Sequence, residues 1–169
     1  YRSKDVEAQG ISVPTSVVIE ARDGLKLYGY LTSPLMSTDR STLVVLIHGG
    51  PYGVRDTDEY DSDVQFLAHN GVSVLQVNFR GSLGYGRDFL NKGYGEWGKK
   101  MQNDISDSVK WAQQTSKNKY KQVCFMGHSY GGYASLWGAI QEPELVNCVI
   151  ASMGVYDLTL LAKRDQSLE

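Results

Sequence analysis

The amino-acid sequence predicts an α/β fold with a mostly parallel sheet, and three observations carry that expectation. Apolar runs without alternation, such as Leu43-Val44-Val45-Leu46-Ile47, read as strands covered on both faces. Stretches with apolar residues at helical spacing lie between later runs of this kind, so strand and helix alternate along the chain. Eighteen of the 169 residues are glycine, about 11% against a usual share of about 7%, and the motifs below are built on them.

Residues 1–15 are polar and unpatterned and end near Pro14, which suits a linker or the tail of an upstream domain. Ser16–Ala21 and Leu25–Leu31 read as two strands joined at Asp23-Gly24, a pair suited to the positive φ angles of a hairpin. A polar break over Pro34–Ser41 precedes the central strand at 43–47. From Asp58 to Asn70, Tyr60, Val64, Leu67 and Ala68 define one helical face, and Gly71 can take the left-handed stop. Val72–Phe79 follows as a second buried strand and Arg80–Gly86 as a loop. Met101, Ile105, Val109 and Ala112 mark another helix, with Asp104 and Asp107 expected near its start, facing the positive dipole end. Gln122–Gly127 reads as strand, Tyr130–Gln141 as helix halted by Pro143, and Val146–Met153 as strand.

Seventeen Lys and Arg against nineteen Asp and Glu give a formal net charge of −2, with no basic footprint for nucleic acid. No apolar run approaches the roughly 18 residues that span a bilayer, so no membrane partner is expected. Cys124 and Cys148 sit in apolar runs without metal spacing and read as small core residues, not as a disulfide or a metal site. Neither a cofactor nor a metal is expected. The chain starts at Tyr1 with no leader pattern, which reads as a beginning inside a longer protein. Compartment is left open, with a cytoplasmic location favoured.

Gly127-His128-Ser129-Tyr130-Gly131 fits G-x-S-x-G, with a buried strand running in and a helix running out. A turn that sharp needs neighbours without a Cβ two residues to either side and pushes the serine hydroxyl outward. Tyr130 N–H, at the start of the helix, is positioned to meet a developing anion. The plainer alternative is a serine in a glycine-rich turn that packs helix on sheet. His48-Gly49-Gly50-Pro51 ends the central strand, where Gly50 N–H could supply a second donor to the same oxygen. His48 precedes Ser129 and reads as a loop-shaping residue, His128 as packed or hydrogen-bonded locally, and His69 as solvated. The 78–86 segment fits neither common nucleotide-loop pattern but leaves a strand where ligands bind. Arg80 there could contact substrate or brace the loop. Tyr85, Tyr94, Trp97 and Trp111 read as packing.

Taken together, H-G-G-P at 48–51, N-x-R-G-S-x-G-Y-G at 78–86 and G-H-S-Y-G-G-Y at 127–133 resemble the prolyl oligopeptidase family of serine peptidases, nearest its acylaminoacyl-peptidase and dipeptidyl-peptidase-like branch. The resemblance spans residues 16–153. It implies an α/β-hydrolase fold over 16–169, incomplete at its C-terminal end, and a domain that cleaves short peptides through an acyl-enzyme. It makes Ser129 the nucleophile, Tyr130 and Gly50 N–H the oxyanion hole, and Arg80 a residue near the substrate cleft. The sequence departs from the family in one respect: no histidine occurs among the 40 residues after Ser129, so the triad Asp and His are expected to be missing. Loss of the base costs on the order of 10⁶ in kcat, hence the 169 residues alone should be nearly inactive, and an exposed sheet edge should favour self-association. A carboxylesterase or lipase, and a non-catalytic α/β remnant, are the rival readings.

Overall fold

The computed structural model describes residues 10–35, 41–115 and 120–165. Most of the expected linker and most of the polar break lie outside them. Strands β1 (Thr15–Glu20), β2 (Lys26–Thr32), β3 (Thr42–Ile47), β4 (Ser73–Asn78), β5 (Gln122–His128) and β6 (Cys148–Ser152) form one sheet in the order β1-β2-β4-β3-β5-β6. The pairs β1–β2 and β2–β4 are antiparallel, and β4–β3, β3–β5 and β5–β6 are parallel. The alternation of strand and helix from β3 onward produces the parallel part, as expected.

The first hairpin closes through Ala21 N–H to Leu25 O and Gly24 N–H to Ala21 O, with Gly24 at φ 80°. Only Gly24 takes a positive φ, so the connection is a three-residue loop, one wider than the tight turn the Asp-Gly pair suggests. Strand β3 sits between β4 and β5, and its Leu43, Val44, Val45 and Ile47 are buried.

Helix α1 (Ser62–His69) starts later than its apolar spacing implies, because Asp61 caps it by accepting from Asp63 and Val64 N–H. Tyr60 therefore lies outside the helix and is exposed. The far end matches expectation: Gly71 at φ 83° lets Gly71 N–H bond Ala68 O and Val72 N–H bond Leu67 O, a Schellman closure. A five-residue helix, α2 (Arg87–Asn91), follows the glycine-rich loop.

Helix α3 (Lys100–Thr115) buries Met101, Ile105, Val109 and Ala112 as expected. Asp104 and Asp107 do not serve its dipole. Asp104 is buried in the second turn and bonds Arg80, and Asp107 pairs with Arg22 from the hairpin. Helix α4 (Tyr130–Gln141) packs on β5 and β6. Strand β6 is shorter than the apolar run around it, and helix α5 (Leu158–Asp165) comes after it. The core joins Ile19, Leu27, Phe79, Phe125 and Tyr130 to the apolar face of α3. The reading of the cysteines is overturned: Cys124 of β5 and Cys148 of β6 are register partners joined by a disulfide, with Cα atoms 4.5 Å apart. Two apolar runs 24 residues apart became neighbouring strands, a pairing that spacing along the chain does not reveal.

Candidate active site

Ser129 joins β5 to α4 with φ 57° and ψ −120°, one of two described non-glycine residues at positive φ. A backbone outlier of this kind costs about 1–3 kcal/mol and persists only where its surroundings over-determine it. Here the surroundings are close-packed backbone. A Cβ on Gly127 would strike Gly131, and a Cβ on Gly131 would strike Ile47 O at the end of β3. Ser129 N–H donates to Ser152 O (3.0 Å), while Ser129 O accepts from Tyr133 N–H (3.1 Å). That last bond opens the helical ladder, so the N–H groups of Tyr130, Gly131 and Gly132 precede it.

The Tyr130 side chain is fully buried, with its ring against Phe79 and Trp97 and its hydroxyl 3.8 Å from Met101 Sδ. It anchors the bend in the core while its backbone N–H stays at the helix start.

The 48–51 loop lies against the same bend. A side chain on Gly49 would come within 3.3 Å of His128 O and 3.6 Å of Ser129 Cβ. Gly50 is exposed at φ 111°, where a Cβ would crowd Tyr52 N and Val54 Cγ2, and its peptide bond to Pro51 is cis. His48 is buried and stacked on Phe79, with centroids 4.3 Å apart. Its Nδ1 meets Gly49 O at 2.8 Å and its Nε2 meets Ser82 Oγ at 2.9 Å. The single hydroxyl proton of Ser82 goes to Phe79 O (2.7 Å), so Gly49 O and Ser82 Oγ both call for a proton from the ring, and the neutral imidazole has one to give to either. Burial lowers the His48 pKa to about 4, which leaves the ring neutral and shaping the loop. His128 is exposed, and its ring makes no hydrogen bond or ring contact among the described residues, unlike the local packing expected of it. His69 ends α1 and is exposed.

Arg80 braces its loop, one of the two roles the sequence left open to it. Its side chain is buried, donating through Nε and Nη2 to Asp104 (2.8 and 2.6 Å) and through Nη1 and Nη2 to Asp23 (2.9 and 3.1 Å). Burial works against its charge, yet the bonds to Asp104 and Asp23 outweigh it and hold the guanidinium above its ordinary value. Both carboxylates belong to other elements, the hairpin and α3, so the arginine braces three parts of the chain. Tyr85, Trp97 and Trp111 pack against the core as expected, Tyr85 stacking on Tyr28 at 4.5 Å and Trp97 meeting Tyr130 edge-on at 4.7 Å, whereas Tyr94 tilts against Tyr52 at 4.7 Å and stays exposed.

Two groups beside the loop escaped sequence reading. Ser82 bridges His48 and Phe79 O, and its place in the 78–86 motif was the available signal. Asp56 exchanges hydrogen bonds with Asn78, its N–H donating to Oδ1 (2.8 Å) and its carbonyl accepting from Nδ2 (3.0 Å). Burial pushes the Asp56 carboxyl up to about 7, Asp61 adds to the shift and Gln76 offsets part of it. Its Oδ2 is buried without a partner. No group of three or more metal-ligating side chains occurs among the described residues.

A model of the prolyl oligopeptidase family matches residues 58–168. Dipeptidyl aminopeptidase BIII of Pseudoxanthomonas mexicana is 43% identical over 154 residues, which cover 86% of this chain and 22% of that protein. A puromycin hydrolase structure superposes with a TM-score of 0.85 over 96% of this chain and 25% of its own, at 23% identity. An acylaminoacyl peptidase in complex with Z-Gly-Gly-Phe-chloromethyl ketone superposes with a TM-score of 0.77 over 86% of this chain and 24% of its own, at 25% identity. The chain thus spans about a fifth to a quarter of the length of these relatives, and the architecture it shares with them is the α/β-hydrolase fold.

Proposed function

The chain belongs to the prolyl oligopeptidase family, and from that membership we propose that it is the nucleophile-bearing part of a serine peptidase that cleaves short peptides through an acyl-enzyme on Ser129. The observation that carries the proposal is the Ser129 backbone, held at φ 57° between two close-packed glycines with Gly49 alongside. In this reading the hydroxyl attacks the scissile carbonyl, and Tyr130 N–H and Gly50 N–H receive the oxygen that becomes negative. The acylaminoacyl peptidase that holds a peptidyl chloromethyl ketone supports a peptide as the ligand.

Activation of Ser129 needs a base, and none of the three histidines of this sequence suits that task. His48 is buried, neutral and bonded elsewhere, His69 ends α1, and His128 is the exposed neighbour of Ser129 on β5. The base and its orienting acid are therefore proposed to come from outside these 169 residues, which alone should acylate slowly. Self-association through an exposed edge, β1 or β6 among the described strands, belongs to the same proposal and is read by light scattering.

The test compares turnover of acylated amino-acid or dipeptide anilides with that of p-nitrophenyl esters by the full-length protein, and labelling by a fluorophosphonate. Faster anilide cleavage with label on Ser129, both lost in Ser129→Ala, is the expected result. A preference for simple esters points to a carboxylesterase or lipase, and absence of label to a non-catalytic role.

A further inference from the structure

We propose that His48 is a positioning residue for the oxyanion hole: its Nδ1–H holds the Gly49 carbonyl and thereby aims Gly50 N–H at the oxygen of the scissile carbonyl. The inference deepens the nucleophile reading and rests on it.

Gly49 O and Gly50 N–H are the two ends of one planar peptide group. In this trans peptide they point opposite ways, so fixing the oxygen fixes the hydrogen. Turning the plane over changes only ψ of Gly49 and φ of Gly50, and neither residue has a Cβ to resist the change. Turned over, the group presents a carbonyl oxygen, and no donor, to a developing anion. Gly49 lies against the bend, where a Cβ on it would be 3.6 Å from Ser129 Cβ, so the setting of this plane matters next to the nucleophile. The restraint comes from outside the two glycines. His48 Nδ1 meets Gly49 O at 2.8 Å, and that oxygen has no other hydrogen-bond partner among the described residues.

The ring is itself held. Its face stacks on Phe79 with the planes 16° apart, and Nε2 meets Ser82 Oγ at 2.9 Å. Phe79 also packs against Tyr130, with centroids 5.6 Å apart, so the residues of both proposed donors rest on one core side chain. His48 and Phe79 directly follow β3 and β4, strands that are each paired on two sides, and both are buried with Ser82. The two acceptors that face the neutral ring are not equivalent. Ser82 Oγ is already bonded to Phe79 O, and a hydroxyl carries a hydrogen that can turn toward a bare Nε2. A carbonyl has none, so Gly49 O faces a lone pair at 2.8 Å whenever Nδ1 is bare. A proton on Nδ1 keeps the peptide plane in place, and a proton on Nε2 alone releases it.

Two substitutions separate the contacts, because an asparagine amide reaches the place of Nδ1 and a glutamine amide the place of Nε2. His48→Asn keeps a donor for Gly49 O and gives up Ser82; His48→Gln does the reverse. In the full-length protein, with a dipeptide anilide as substrate, His48→Gln should lower kcat by about 10²–10³, the loss that follows removal of an oxyanion donor, while KM changes by less than about threefold. His48→Asn should lower kcat by less than about tenfold, although both variants forfeit the stack on Phe79 and should unfold at similar urea concentrations. Fluorophosphonate labelling of Ser129 should slow in the same order. Where neither variant folds, Ser82→Ala decides: with the rival acceptor gone, kcat should fall by less than about fivefold, and a loss of about a hundredfold overturns the assignment. Equal kcat losses in the two His48 variants, or a loss carried by KM alone, overturn the positioning role while wild-type turnover leaves the nucleophile reading standing. Wild type with neither turnover nor label on Ser129 overturns that reading and the positioning role with it.

Discussion

Glycine at 131 is required by what it touches and not by its own φ. A Cβ there would collide with the carbonyl oxygen of Ile47, which is backbone and cannot swing aside. Gly53 makes a useful contrast, since its φ is 73° but nothing lies within 4 Å of its missing side chain. Gly53→Ala should therefore cost only the left-handed penalty of about 1–2 kcal/mol. Gly131→Ala forces α4 away from β3 and should cost more, about 3 kcal/mol or above, with a loss of fluorophosphonate labelling. Denaturant unfolding of the two variants side by side checks the order, and equal costs would contradict the packed-bend account. The glycines of G-x-S-x-G were legible in the sequence because the motif comes with a steric reason. The part of Gly49 was not, since its contact with Ser129 Cβ joins residues 80 positions apart.

At the scale of elements, Arg80 ties the 78–86 loop to the hairpin and to α3, but its two carboxylate partners differ in setting. The Asp104 side chain is fully buried, and that of Asp23 is 39% exposed. Removing one partner of a buried ion pair leaves an uncompensated charge and costs about 3–5 kcal/mol, whereas an exposed pair contributes about 0–1 kcal/mol. Asp104→Ala should thus lower the unfolding midpoint severely and Asp23→Ala barely, as read by thermal or urea denaturation. Similar losses from both would show that the two contacts share the load. The apolar stripe Met101, Ile105, Val109 and Ala112 was readable because periodicity reports which face is buried. The fates of Asp104 and Asp107 were not, because a carboxylate's partner is chosen by tertiary folding, and here each found an arginine more than twenty residues away. Helix α2 was invisible for another reason: five residues are too few to establish a period. The disulfide belongs with the unreadable pairings, since it depends on which strands become neighbours.

For the whole molecule, His48 and Asp56 pull the pH dependence of stability in opposite directions. His48 falls from 6.5 to about 4 on folding. Between those values the unfolded ring holds a proton that the folded ring does not, so His48 contributes stability above about pH 6.5 that is lost as pH falls through 4. Asp56 rises from 3.8 to about 7. The folded carboxyl holds a proton that the unfolded one has released, so its contribution is complete below about pH 4 and is lost as pH rises through 7. Each slope is at most about 1.4 kcal/mol per pH unit, and with opposite signs they nearly cancel between pH 4 and 6.5. The depressed carboxylates Asp23, Asp107 and Glu142 add stability that begins to be lost at the acid end of that window, near their ordinary values of 3.8 and 4.5, and goes on being lost below it. Compared with wild type, His48→Gln should grow relatively less stable as pH rises from 4 to 6.5, and Asp56→Asn relatively more stable. Groups common to variant and wild type, Asp104 included, drop out of each difference. Urea unfolding at half-unit pH steps checks both signs, and two variants that track the wild type in parallel would mean that neither group is held in the protonation state its burial dictates.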